Sequence, residues 1–252
     1  MSDTILYLAW QDPSSRRWFT VGRLRKLETH QYEFVYIEGY NSARKLANME
    51  PLVGFIEPEI RYLSETLFPF FQNRIMSPNR EDFGAYIQKL GFDAAPKEPL
   101  DILARSEGHR ATDSFHVFPE PKMRNVDGRP VCTFEFFIHG IRHVRPEVQN
   151  LTLQTGTQLF LQWDFQNTYD TNALTLRTND NYLLGWVPRF YCADILTLRE
   201  YGQKINVIVS RMNTAPVPSW FRIMCRLEAQ CPNDFRPFAS PEFQPLKRSP
   251  AR

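Results

Sequence analysis

The chain has 252 residues, 42% of them hydrophobic, with 30 Lys+Arg against 28 Asp+Glu for a net charge of +2. That length and apolar content suit two ordinary domains or one large one, and exclude a disordered tail, a collagen-like fibre and a coiled coil. Near-balanced charge also excludes a coat protein that grips nucleic acid through many phosphates, which needs a strong basic excess.

The first elements read as strands. Ile5–Trp10, Trp18–Leu24 and Tyr32–Ile37 are rich in aromatic and β-branched residues, and Asp12-Pro13-Ser14-Ser15 supplies a turn between the first two. Ser42 is placed to cap a short helix running to Asn48, and Asn79–Asp82 to open a second that ends at Leu90-Gly91. In that second helix Phe83, Tyr86, Ile87 and Leu90 fall on one apolar face. Leu100–Ala104 reads as a short helical turn and Ser114–Phe118 as a strand. Pro119–Pro130, with three prolines and Asp127-Gly128, is the expected domain boundary.

The β pattern resumes over Val131–Ile141, Gln158–Phe165 and Ala173–Arg177, and Asn179-Asp180-Asn181 turns the chain into Tyr182–Val187. Pro188 suits the first turn of a helix whose buried side would be Phe190, Ala193, Ile195 and Leu198, with Gly202 as its stop. Strands at Ile205–Arg211 and Phe221–Ala229 follow. The residues from Pro232 onward, proline-rich with Lys247-Arg248, read as a loosely attached tail. The expected class is α+β: an N-terminal domain over 1–122 with a small sheet and helices, an OB-like β-barrel with one helix over 131–231, and a tail over 232–252.

No run approaches ~18 consecutive apolar residues, so no membrane span is expected. Met1–Trp10 lacks the basic start and apolar core of a signal peptide. Cys132, Cys192, Cys225 and Cys231 form no Cys-x-x-Cys pair, which argues against structural zinc and for reduced, buried thiols in a cytoplasmic protein. His139-x-x-x-His143 falls in a β pattern broken by Gly140, and Asp113 with Glu120-Pro121-Lys122 has the wrong gap and a proline for a nuclease centre. No phosphate loop, dinucleotide fingerprint, nucleophile elbow or metalloprotease helix is present. The sequence assigns no catalytic residue, metal or cofactor, and the protein is expected not to be an enzyme.

The informative stretch is Asp164–Leu174, which lies between two strands. A tyrosine beside Asn and Asp in a loop offers a flat stacking surface with hydrogen-bonding groups at its edge, which suits an unpaired nucleobase and its sugar. The same Asn and Asp also suit ordinary side-chain turns, with Tyr169 as a lid on the sheet edge.

Four blocks in order carry a resemblance: Gly140-Ile141-Arg142-His143-Val144, Gly156-x-x-Leu159-x-Leu161-x-x-Asp164, Asn167-x-Tyr169-Asp170-x-Asn172-Ala173-Leu174, and Leu184-Gly185-Trp186-Val187-Pro188-Arg189. Residues 131–229 resemble the HIRAN domain, of the kind that stands alone in bacteria. The resemblance implies a modified OB-like barrel that binds single-stranded DNA and, in some members, captures a 3′ end. By position, Tyr169 would stack on a terminal base, Asp170 would accept a hydrogen bond from the 3′ hydroxyl, Asn167 would fix the loop and Arg142 would meet phosphate. His143 stands where end-binding members place a second aromatic stacker. Trp186 and Arg189 stand at further base and phosphate contacts, with Trp186 equally suited to the core. The small basic excess of residues 126–252, 14 Lys+Arg against 11 Asp+Glu, agrees with a grip on few phosphates.

Phe70-Phe71-Gln72-Asn73-Arg74-Ile75-Met76-Ser77-Pro78 is similar to part of the small N-terminal subdomain of HipA-type toxin kinases, without the catalytic portion. That similarity implies an alternative function: a regulatory module that binds a kinase or another protein partner through the N-terminal domain.

Overall fold

The computed structural model describes residues 4–246 except 95, 97, 111, 150 and 215. The chain forms two compact units, one made of Met1–Glu120 with Phe238–Arg252 and the other of Pro121–Pro237. The units divide in sequence between Glu120 and Pro121 and again between Pro237 and Phe238. The architecture is α+β, with one antiparallel sheet in each unit.

In the first unit, β1 (Ile5–Gln11), β2 (Trp18–Lys26), β3 (Tyr32–Tyr36), β4 (Tyr62–Ser64) and β5 (Phe115–Pro119) pair in the order β4-β3-β2-β1-β5. Four helices join them: α1 (Glu38–Ala47), α2 (Pro69–Gln72), α3 (Phe83–Lys89) and α4 (Pro99–Ser106). The core is aromatic, with Phe34 against Phe55 at 4.3 Å and Tyr36 against Tyr40 at 4.4 Å between ring centroids. Tyr36 ties the segment after α1 to the sheet by donating to the Phe55 carbonyl at 2.9 Å and accepting from the Leu52 N–H at 2.7 Å.

Two expectations fail here for one reason. Ser42 lies inside α1 and caps nothing. The helix starts at Glu38, whose N–H donates to the Gln244 carbonyl at 2.8 Å. The described part of the expected tail, residues 232–246, is accordingly not loose: Phe238 and Phe243 are buried, stack on each other at 4.4 Å and meet Tyr7 edge-on, and Pro245 bridges Ile37, while Lys247 and Arg248 lie outside the described residues. Asp113 pairs with the buried Arg74 at 2.7 Å, while Glu120 accepts from the Tyr7 hydroxyl at 3.3 Å. Each of these carboxylates already has a structural partner.

In the second unit, β6 (Lys122–Val126), β7 (Arg129–Phe137), β8 (Gln158–Trp163), β9 (Leu174–Arg177), β10 (Leu183–Trp186), β11 (Ile205–Met212) and β12 (Ile223–Gln230) form a seven-stranded sheet of order β10-β9-β8-β11-β12-β7-β6. His139, just past β7, exchanges two backbone hydrogen bonds of 2.9 Å with Trp186 at the end of β10. That bridge brings one edge of the sheet back to the continuation of β7. The hairpin of β6 and β7 turns on Asp127 and Gly128, both at positive φ, as a tight primed turn requires.

A short α5 (Pro146–Gln149) follows a 3₁₀ turn over Ile141–His143, and α6 (Arg189–Glu200) follows Pro188. The buried side of α6 is Tyr191, Cys192, Ile195 and Leu198, whereas the expected Ala193 is exposed. None of the described helices is long and apolar enough to cross a membrane.

Candidate nucleic-acid interface

β8 ends at Trp163 and β9 begins at Leu174, and the intervening loop is held by its own side chains. The Oδ1 atom of Asn167 accepts the backbone N–H groups of Tyr169 and Asp170, both at 3.0 Å. Its Nδ2 donates to Asp164 Oδ2 at 3.3 Å. Asp170 Oδ1 then accepts from the Asn172 N–H at 3.1 Å. These are local Asx-type bonds that offer the backbone an alternative to a strand. Asn167 therefore holds the loop.

Asp164 joins this loop to the rest of the sheet. Besides Asn167, its Oδ2 accepts the indole N–H of Trp186 at 2.9 Å. The Trp186 ring lies over Gly140, where an added Cβ would stand 2.6 Å from Cε3; Gly140 also sits at φ 73°. Gly185, next to Trp186 at φ 146°, leaves no room for a Cβ either, which would lie 2.3 Å from the His139 carbonyl oxygen. Trp186 is half-buried, with its polar edge and its face both engaged. It fastens the 3₁₀ turn carrying Arg142 and His143 and the loop carrying Tyr169 to one strand end.

The exposed surface of this assembly is aromatic and polar. Tyr169 is 81% exposed, far from the lid-like burial that a purely structural tyrosine would show. Asp170 is part-buried, with Oδ2 3.4 Å from Nε of Arg189 at the first turn of α6. Arg142 and His143 are exposed, and the Arg142 Nε–H donates to His143 Nε2 at 3.1 Å. Asn167, Tyr169 and Asp170 thus share one hydrogen-bonded loop, Arg189 joins it through Asp170, and Trp186 joins it through Asp164. Arg142 and His143, on the 3₁₀ turn, are linked to it by way of Gly140 and Trp186.

Three participants were not assigned roles from sequence. Asp164 is the connecting carboxylate, and Trp163 and Phe165 flank it. Their rings meet at 4.8 Å and 36°, with Phe165 78% exposed. The Trp163 indole N–H donates to the Thr171 carbonyl at 2.7 Å. The signal was present in two aromatic residues flanking an Asp at the end of a strand, Trp163-Asp164-Phe165.

Comparison with known proteins places this region. The HIRAN domain family model matches residues 131–231. Among solved structures, the chain is similar to a protein from Lactobacillus plantarum at 25% identity, covering 40% of this chain and 97% of that one with a TM-score of 0.33. It is also similar to the HIRAN domain of human HLTF at 15% identity, covering 39% of this chain and 73% of that one with a TM-score of 0.29. No curated protein matches the chain. The matched span opens on β7 and closes just past β12, two strands that pair along their length, and residues 131–231 of this chain are a HIRAN domain, a domain of the nucleic-acid-binding class.

Proposed function

We propose that the protein is a non-catalytic binder of single-stranded DNA, and that the Tyr169 loop of its HIRAN domain receives the strand at its 3′ end. The exposure of Tyr169 on a loop already fixed by Asn167 carries this reading. A pre-ordered aromatic ring stacks on a base without paying to order its own backbone, and a stacked base contributes about 1–3 kcal/mol.

Asp170 supplies the chemistry of end recognition. An ionised carboxylate has about four lone-pair sites; the Asn172 N–H occupies one of them, and Arg189 stands beside Oδ2 as an ion-pair partner at 3.4 Å. The remaining sites accept a sugar hydroxyl. A 3′ phosphate at that position would instead bring charge against charge. Arg189 turns its Nε toward Asp170, and the other guanidinium donors serve the adjoining phosphate, as Arg142 does from the 3₁₀ turn.

Fluorescence anisotropy with labelled single strands ending in a 3′ hydroxyl or a 3′ phosphate tests the end reading. Preference for the hydroxyl, abolished in Asp170→Asn together with the penalty for phosphate, supports it. Equal binding of both strands removes end capture and leaves strand binding.

A further inference from the structure

We propose that Trp163 and Phe165 form a second base-stacking platform, which extends the bound strand beyond the nucleotide held at Tyr169. This rests on single-strand binding by the Tyr169 loop and deepens it.

The geometry gives the pair no structural purpose that accounts for its exposure. Phe165 is 78% exposed and Trp163 is 38% exposed, so most of the Phe165 ring makes no contribution to the core. Burying a Phe stabilises a fold substantially, and a loop of Asn, Thr and Gln has no folding need for one on its outside. The pair is nonetheless ordered. Trp163 is fixed at its polar edge by the Thr171 carbonyl, and Phe165 lies on it at a tilt of 36°. Trp163 thereby binds the far end of the same loop whose centre Asn167 locks. Tyr169 and the Trp163–Phe165 pair are held to one frame.

The surroundings say which occupant fits. Between Arg145 and Arg177 the sequence has no Lys or Arg, and the exposed neighbours Gln162, Gln166, Thr168, Thr171 and Asn172 are neutral hydrogen-bonding groups. That stretch of chain brings no positive charge of its own to the two rings. It offers two flat rings and a rim of amides and hydroxyls, which is the complement of unpaired bases. Stacking of this kind tolerates any base, since each has a π face. The platform therefore adds affinity and length without sequence preference, and its contribution is independent of salt.

The test is anisotropy of a labelled eight-nucleotide oligothymidylate with the full chain, at two salt concentrations. Phe165→Ala is expected to weaken binding about 5- to 150-fold by the same factor at both salts, while Phe165→Trp retains it. Arg142→Ala should instead flatten the salt dependence. Phe165 is exposed enough that its replacement leaves the fold intact, which thermal unfolding checks in the same samples. Wild-type affinity in Phe165→Ala, alongside loss in Tyr169→Ala, overturns the second platform and leaves the first. No binding by the wild type overturns both. A wild-type dimer in sedimentation that Phe165→Ala converts to monomer assigns the pair to self-association and overturns the proposal.

Discussion

Asn167 offers the sharpest separation between a residue that contacts a ligand and one that prepares the loop for it. Its Oδ1 holds two backbone N–H groups at 3.0 Å each, and its Nδ2 reaches Asp164. Asn167→Ala removes all three bonds. Each is worth about 0.5–1.5 kcal/mol net, and the exposed N–H of Tyr169 finds water instead, so the expected loss of stability is about 1–2 kcal/mol. Binding suffers separately. Fixing the backbone of even one released residue costs about 1–2 kcal/mol, which is roughly 5- to 30-fold in affinity.

Asn167→Asp refines the test. It keeps the acceptor for both N–H groups but sets a second carboxylate against Asp164, where the wild type has a bond of 3.3 Å. Two carboxylates sharing a site raise the pKa of one of them, so the deficit of this variant should shrink as pH falls and grow as pH rises. Thermal unfolding and anisotropy on both variants read the two effects. Wild-type affinity in Asn167→Ala, with Tyr169→Ala still impaired, would refute the claim that this side chain organises the site.

Three further outcomes follow from the structure. Glu33 is nearly buried, with a side chain 3% exposed, and faces Arg25 at 2.6 Å, Arg61, and Arg23 at 3.9 Å. Burial alone would raise its pKa, but the hydrogen bond from Arg25 and the charges of Arg25, Arg61 and Arg23 hold it below the ordinary carboxylate value. Its stabilisation is complete above the unfolded value of about 4.3 and is lost as pH falls through the lower folded value. Glu33→Gln should cost about 1–3 kcal/mol near neutrality, less than a fully buried pair because the arginines are partly exposed, and should flatten the acid limb of a melting curve against pH. An unchanged acid limb contradicts that account.

Phe243→Ala should destabilise the first unit by about 3 kcal/mol, because its ring is buried on Phe238 and Tyr7. Calorimetry that finds no change would return the segment to the status of a tail. All four cysteines are buried, and Cys192 is pushed up to about 12 by burial and then by the charge of Asp170. Thiol reagents should find none of them in the native protein at neutral pH and all four after denaturation. Fast reaction of the folded protein contradicts the burial.

Much of the fold was legible because its signals are local. The β1, β2 and β3 strands announce themselves through aromatic and β-branched runs, and α6 through Pro188 and Gly202. What escaped depends on partners distant in sequence. The start of α1 is set by the Gln244 carbonyl, so no residue near Ser42 could reveal it. The β6 strand escaped because all its residues are exposed and carry no apolar alternation. At the site, Asn167, Tyr169 and Asp170 were legible as a loop motif, whereas the role of Asp164 requires Trp186, 22 residues away.

The central claim is that the exposed ring of Tyr169 binds an unpaired base. Equilibrium anisotropy of a labelled single-stranded oligonucleotide, titrated with wild type and Tyr169→Ala, tests it most directly. The account predicts saturable binding by the wild type, a loss of about 5- to 150-fold in the variant, and stabilities equal within about 0.5 kcal/mol. Flat anisotropy through tens of micromolar wild-type protein, or equal affinity for the two proteins, would contradict it.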